Sequence, residues 1–153
     1  MQSLDRIDRK ILDILQRDGR IAITELAQQV GLSATPCADR VRRMERAGVI
    51  TGYHAHVSPK ALGRNLLVFL EIKLAAKSDE VFEKIKNELQ RIPDVMECHL
   101  VSGDFDYLIK ARIPDMHDYR TLLGDILQRL PASAQSRSYV VMEEIKETLY
   151  LPT

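Results

Sequence analysis

Apolar residues recur at helical spacing in three stretches of the first fifty positions. Leu4, Ile7, Ile11, Leu12 and Leu15 mark one face of a first helix. It is opened by Asp5 and Asp8, whose carboxylates suit the positive end of a helix dipole, and closed at Asp18-Gly19-Arg20. A short second helix follows, with Leu26, Ala27 and Val30 as its apolar side and Thr24 as the expected N-cap. Gly31-Leu32-Ser33 is a three-residue turn into a third helix, for which Ser33 is the expected N-cap, its hydroxyl accepting from a first-turn N–H. Gly48 stands where the helix exit needs a left-handed residue. At roughly 100° per residue, Cys37, Val41 and Met44 fall on one side of this helix, and Thr35, Asp39, Arg42, Arg43 and Arg46 on the other. Ile21, Ile23, Val49 and Ile50 supply further core for a three-helix unit.

The pattern then changes period. Residues 53–57 read as a short strand broken by Ser58-Pro59-Lys60, so 53–64 is expected to be a β-strand linker. Leu66, Val68, Leu70, Ile72 and Leu74 alternate along a strand. Phe82, Ile85, Leu89 and Ile92 mark a helix opened near Ser78-Asp79 and stopped by Pro93. Strands over 95–102 and 105–113 flank a Gly103-Asp104 turn, and Met116, Tyr119, Leu122, Leu123, Ile126 and Leu130 give a second helix ended before Pro131. A fourth strand is predicted over 136–145. The order βαββαβ predicts a ferredoxin-like sandwich with both helices on one sheet face. Leu67, Phe69, Tyr139 and Val141 line the other face, and an apolar sheet face on a small domain marks an interface. The chain is therefore α+β, with a helix-turn-helix domain of winged type over 1–52, the linker, and a ferredoxin-like domain over 65–153.

Short helix, glycine turn and capped basic helix make a helix-turn-helix over about 23–42, whose second helix enters the major groove of double-stranded DNA. There Arg forks onto guanine and Asp accepts from the cytosine amino group. Ser33, Thr35, Pro36, Asp39, Arg40, Arg42, Arg43 and Arg46 are the candidate DNA-binding residues. The alternative is a helical bundle with a solvated arginine face.

These residues closely resemble the Lrp/AsnC (feast/famine) family of transcription regulators. The likeness is carried by Leu4-Asp5-Arg6-Ile7-Asp8, Asp18-Gly19-Arg20, Val30-Gly31-Leu32-Ser33, Thr35-Pro36-Cys37, Arg40-Val41-Arg42-Arg43 and 48–53. It continues through 97–107 and ends with Tyr139-Val140-Val141-Met142-Glu143-Glu144, and within the family it is greatest to leucine-responsive members. Such a resemblance implies a DNA-binding head on a ligand-sensing and oligomerising domain, a homodimer assembling to an octamer or similar. It further implies that Gly103, Asp104 and Asp106, with Met116, Tyr139, Val140 and Val141, belong to an effector site between dimers. The residues themselves allow two readings of the turn. One is an amino-acid site, in which a carboxylate takes the ammonium and backbone N–H groups beside glycine take the carboxylate. The other is a solvated turn with self-capping aspartates. Leucine or methionine is the expected effector. Neither end shows the basic extension of some leucine-responsive members, so a nucleoid-organising role is not expected.

Charge changes the picture only when the chain is split. Net charge is zero over 153 residues, yet residues 1–60 carry 10 Lys/Arg against 7 Asp/Glu, and residues 61–153 carry 12 against 15. The positive excess lies with the helix-turn-helix. A 45% hydrophobic fraction is ordinary for a folded protein, no apolar run reaches the roughly 18–20 residues of a membrane span, and no secretory signal is seen, so a cytoplasmic protein without membrane contact is expected. Cys37 and Cys98 fall in separate units and read as reduced thiols. His54 and His56 share a strand face but lack nearby ligands to complete a metal site. His99, Ser102 and Asp104 lie too close along one hairpin for a catalytic triad. No catalytic residue, metal or cofactor beyond the amino acid effector is expected. The function so derived is a sequence-specific transcriptional regulator responding to an amino acid; the competing one is an effector-independent architectural DNA-bridging protein.

Overall fold

The computed structural model describes residues 3–131 and 134–153. The chain divides into two compact units, Met1–His56 with Lys146–Thr153, and Val57–Ile145.

The first unit is built on α1 (Arg6–Arg17), α2 (Ile23–Val30) and α3 (Ala34–Arg46). A capping box opens α1: the Asp5 carboxylate accepts from the Asp8 N–H at 2.8 Å, and the Asp8 carboxylate accepts from the Asp5 N–H at 3.3 Å. The α2 helix begins at Ile23 with Ala22 as its N-cap, so Thr24 sits inside the first turn and caps nothing. Ser33 does occupy the N-cap of α3 with extended backbone, but its hydroxyl makes no capping bond. Pro36, at the third helical position, has no N–H to offer and removes one of the two donors such a cap can use. At the exit, Gly48 has φ +68°, the Val49 N–H reaches the Met44 carbonyl at 2.9 Å, and the Gly48 N–H reaches Glu45 at 3.0 Å. These two bonds form the Schellman closure that a left-handed glycine permits. Ile11, Leu26, Cys37, Val41 and Met44 are buried at the centre.

No strand forms over 53–57. A strand needs a neighbour for its N–H and C=O groups, and this stretch has no ladder partner among the described residues. Tyr53 instead turns back onto the head. Its hydroxyl donates to Glu45 Oε1 at 3.0 Å, and its ring lies where a Cβ on Gly19 would approach to 3.2 Å. Burial and then the Glu45 carboxylate push the Tyr53 phenol up to about 12.

The second unit runs β1 (Leu66–Lys73), α4 (Asp79–Leu89), β2 (Val95–Leu100), β3 (Tyr107–Ile113), α5 (Met116–Arg129) and β4 (Gln135–Val140). All pairings are antiparallel and the order is β2-β3-β1-β4, the ferredoxin-like arrangement. Ser78 caps α4 by accepting from the Val81 N–H, and Asp115 caps α5 by accepting from His117 and Asp118. Val68, Leu70 and Ile72 of β1 face Ala111, Ile109 and Tyr107 of β3, and pack against Ile85, Leu89, Leu122 and Ile126 of the helices. The strand expected over 136–145 stops at Val140 because its partner runs out: Val140 pairs Val68, the Val141 N–H bonds Leu67 O at 2.9 Å, and β1 begins at Leu66. The opposite sheet face carries Leu67, Phe69, Leu108 and Tyr139 among Glu71, Lys110, Arg112 and Arg137. Arg112 is buried there and forks onto the Glu144 carboxylate.

Candidate DNA interface and effector site

The two bonded turns at Gly31 and Gly48 fix the ends of α3, and its buried stripe fixes its rotation. Thr35, Pro36, Asp39, Arg42 and Arg46 are thereby exposed, as is Ser33 at the helix start. Arg42 Nη1 lies 3.5 Å from Asp39 Oδ1, with both side chains about two-thirds exposed. In water such a pair is worth little, so it orients Arg42 without withholding it from a base edge. Arg46 Nε donates to the Arg42 carbonyl at 3.3 Å.

Arg40 and Arg43 behave differently. Both turn toward the start of α1, where Asp8 is 1% exposed. Arg40 Nη1 sits 2.6 Å from Asp5 Oδ2 and 2.8 Å from Asp8 Oδ1, and Arg43 Nη2 reaches both Asp8 oxygens at 2.7 Å. The Asp8 N–H and then Arg40 hold the Asp5 carboxyl below the usual carboxylate range. Arg43, which the helical projection places with the DNA-facing residues, is thus half-buried and committed to an intramolecular acid. Asp8 is the functional residue that sequence reasoning missed, having taken it only for a helix-dipole acid. The signal was present as two i, i+3 pairs of opposite charge, Asp5/Asp8 and Arg40/Arg43.

At the effector candidate, Gly103 has φ +149° and Asp104 is exposed at the hairpin tip. Asp106 is not exposed. Its carboxylate accepts from the Leu74 N–H at 2.8 Å and from Lys77 Nζ at 2.6 Å, while its own N–H bonds the Ile72 carbonyl at 2.8 Å. Burial opposes its charge, but the Leu74 N–H and the Lys77 ammonium outweigh it and hold the carboxyl below its ordinary range. Asp106 therefore pins the hairpin to the end of β1. Met116, Tyr139 and Val140 are exposed and Val141 is half-buried. The turn joins β1 at Ile72, whereas Tyr139, Val140 and Val141 join it at Phe69, Val68 and Leu67. Three to five residues of strand separate those levels, about 10–17 Å at the usual strand rise. One chain does not bring the predicted effector residues together.

A groove of about 600 Å³ opens between α4 and edge strand β2, lined by Phe82, Lys86, Leu89, Met96 and Tyr107 among others; none of the predicted residues lines it. Among the described residues, no group of three His, Cys, Asp or Glu is placed to hold a metal, and no helix is long and apolar enough to cross a membrane. Cys37 is a buried free thiol whose pKa burial raises, and Cys98 is free on the exposed edge strand.

Comparison with known proteins bears on both units. The family model for a winged helix-turn-helix DNA-binding domain matches residues 4–51, and that for the Lrp/AsnC ligand binding domain matches residues 67–151. The leucine-responsive regulatory protein of Escherichia coli strain K12 is 55% identical over 147 residues, covering 96% of this chain and 90% of that protein. An AsnC family transcriptional regulator from Agrobacterium tumefaciens superposes with a TM-score of 0.92 at 37% identity, covering 97% of this chain and 96% of that one. A Neisseria meningitidis transcriptional regulator, solved as a complex with L-Met, superposes with a TM-score of 0.90 at 33% identity, covering 98% and 97%. A helix-turn-helix head and a ferredoxin-like ligand-binding domain on one chain define a DNA-binding transcriptional regulator rather than an enzyme. The chain belongs to the Lrp/AsnC family.

Proposed function

We propose that this regulator reads its operator with Thr35, Asp39, Arg42 and Arg46 of α3, and that an aliphatic amino acid, leucine or methionine, governs its assembly and hence its DNA affinity. Arg40 and Arg43 act from the flank, fixed by Asp8 and able to present their remaining N–H groups to phosphate. The observation that carries the effector reading is the separation along one sheet between the hairpin turn, which joins β1 at Ile72, and Tyr139–Val141, which join it from Phe69 to Leu67, about 10–17 Å at the usual strand rise. Residues so divided form one site only when a second copy supplies the other half. Ligand then favours the associated state by its differential affinity for the two states, typically about 1–3 kcal/mol. Asp104 is the acid available for a ligand ammonium, and Asp106 holds the turn that presents it. The complex of the Neisseria relative with L-Met supports the ligand class. The sheet face bearing Leu67, Phe69, Leu108 and Tyr139 is the dimer surface, and contacts at the hairpin turns build dimers into an octamer or similar ring.

Calorimetry with the twenty amino acids, paired with sedimentation, tests this directly. Leucine or methionine should bind and shift the sedimentation coefficient, and Asp104→Ala should lose both effects. Binding of no amino acid at millimolar concentration, or an Asp104→Ala variant that binds and assembles as the wild type does, refutes the site. Retention of genomic fragments, with and without amino acids, tests the regulator itself.

A further inference from the structure

The end of the chain is held on the first unit by specific bonds. Gln16, on the polar side of α1, meets the backbone of Leu151 twice: its Nε2 donates to the Leu151 carbonyl at 2.9 Å, and its Oε1 accepts from the Leu151 N–H at 2.7 Å. A primary amide so placed reproduces the paired N–H···O bonds between two antiparallel strands. Asp13 and Arg17 flank Gln16 on the same stripe of the helix and hold Tyr150 between them. The Tyr150 hydroxyl donates to Asp13, and Arg17 lies over the ring at 5.4 Å and donates to the phenolic oxygen at 3.3 Å. Arg17 and Asp13 close the group with their own contact at 3.0 Å.

The same segment is anchored at its start. The Val141 N–H bonds Leu67 on the sheet, and Glu144 forks onto buried Arg112. Between the two anchors Met142, Ile145 and Leu149 are exposed. The chain thus passes between its two units twice, first after His56 and again after Ile145.

We propose that the outer face of α1, made of Asp13, Gln16 and Arg17, is a docking surface for the chain's own Tyr150–Leu151, and that the resulting strap carries the effector state of Tyr139–Val141 to the DNA-binding head. The docking stands on the bonds above; the signalling rests on the effector reading under Proposed function. A segment that begins at candidate effector residues and ends on α1 transmits a displacement whenever ligand favours one position of residues 139–141.

The test uses the full chain as wild type, Gln16→Ala and Tyr150→Phe. Amide exchange at Leu151 reads the docking, and should be about tenfold faster in Gln16→Ala, the effect of losing one or two such bonds. Gel shifts on the genomic fragment that the wild type retains most tightly read the signal, with and without leucine and methionine. Calorimetry on the same proteins reads amino acid binding. Both variants should bind the amino acid as the wild type does, and bind the fragment without amino acid within about twofold of it. Their effector-induced change in DNA affinity, typically about 5–150-fold in coupled systems, should collapse toward unity. Equal exchange at Leu151 in wild type and Gln16→Ala overturns the docking. Faster exchange with a full effector response overturns the signalling and leaves the strap a structural staple. A wild type that answers to no amino acid removes the effector reading and the signalling with it, while the exchange result decides the docking by itself.

Discussion

Asp8→Asn is the substitution that most sharply tests how the recognition helix is held. The native carboxylate takes three guanidinium contacts, one from Arg40 at 2.8 Å and two from Arg43 at 2.7 Å, besides the Asp5 N–H. Removing one member of a buried ion pair costs about 3–5 kcal/mol, most of it from the charge left behind. Here the charges left behind are not fully buried: the Arg40 and Arg43 side chains are 25% and 40% exposed. Arg40 also keeps Asp5, and the amide oxygen of Asn keeps one acceptor. The expected loss is therefore about 2–3 kcal/mol, confined to the head. Because the chain has two units, a single melting curve would mix them, so amide exchange is the proper assay. The amides of Leu12, Val41 and Met44 should exchange about 30–150-fold faster, the rate equivalent of that loss, and those of Val68 and Ile109 at the wild-type rate. The freed guanidiniums should also engage phosphate, steepening the salt dependence of non-specific DNA binding by up to about 0.9 per added contact. A stability change under about 0.5 kcal/mol, or equal acceleration in both units, would show that Asp8 does not brace α3.

Arg42→Ala should cost about 1–3 kcal/mol at the cognate site and relax preference at one base position, whereas Arg40→Ala should weaken all sequences alike; selection from a randomised operator separates the two outcomes. Asp39→Ala should tighten non-specific binding, because an acid facing phosphate is removed, yet lower the ratio of specific to non-specific affinity, because Arg42 loses its guide at 3.5 Å; competition gel shifts would expose a ratio that fails to fall. Asp106 carries a depressed carboxyl, so its contribution to stability is complete above the unfolded carboxylate value near 4 and is lost as pH falls through the folded value. Asp106→Asn should accordingly flatten the acid limb of second-unit stability, followed through the amides of Ile72 and Ile109, and an unchanged limb would assign that limb to another group.

Much of the architecture was legible because it rests on period. A 3.6-residue repeat over Cys37, Val41 and Met44, and a 2-residue repeat over Leu66–Leu74, need only the local chain to be read. What escaped needs a partner. Ser33 has the position and conformation of an N-cap, but its bond depends on what stands at residue 36. Residues 53–57 alternate as a strand does, yet alternation supplies no neighbour to bond. The projection of α3 separates buried from exposed correctly for Asp39, Arg42 and Arg46. It has no means to foresee that Arg43 turns to an acid 35 residues away. In the same way the Gly103–Asp106 turn reads as a ligand-ready pair of acids until Lys77 and the Leu74 N–H are seen on one of them. The clamp on Tyr150–Leu151 joins positions about 135 apart through one glutamine, which no window of the sequence connects.

Electrostatics links these details to the need for assembly. The first 60 residues hold 10 cations against 7 acids, a net excess of only three. Four of those cations are already answered within the head: Arg17 by Asp13, Arg40 and Arg43 by Asp5 and Asp8, and Arg42 by Asp39. Each pair must be shared or broken for its guanidinium to serve DNA, so one head gains little from counterion release, and non-specific affinities for such modules are of order 10⁻⁴–10⁻⁶ M. Two heads carried by one dimer change the arithmetic, because the second binds at an effective concentration near millimolar and avidity rises by about 10²–10⁴ without any new contact. Specific occupancy then depends on association as strongly as on the base contacts of Arg42. A ligand that only shifts association by about 1–3 kcal/mol is transmitted to DNA almost undiminished. On the reading proposed above, the small charge excess of the head, and the braces that hold its arginines, are what would make an effector bound between copies an adequate switch.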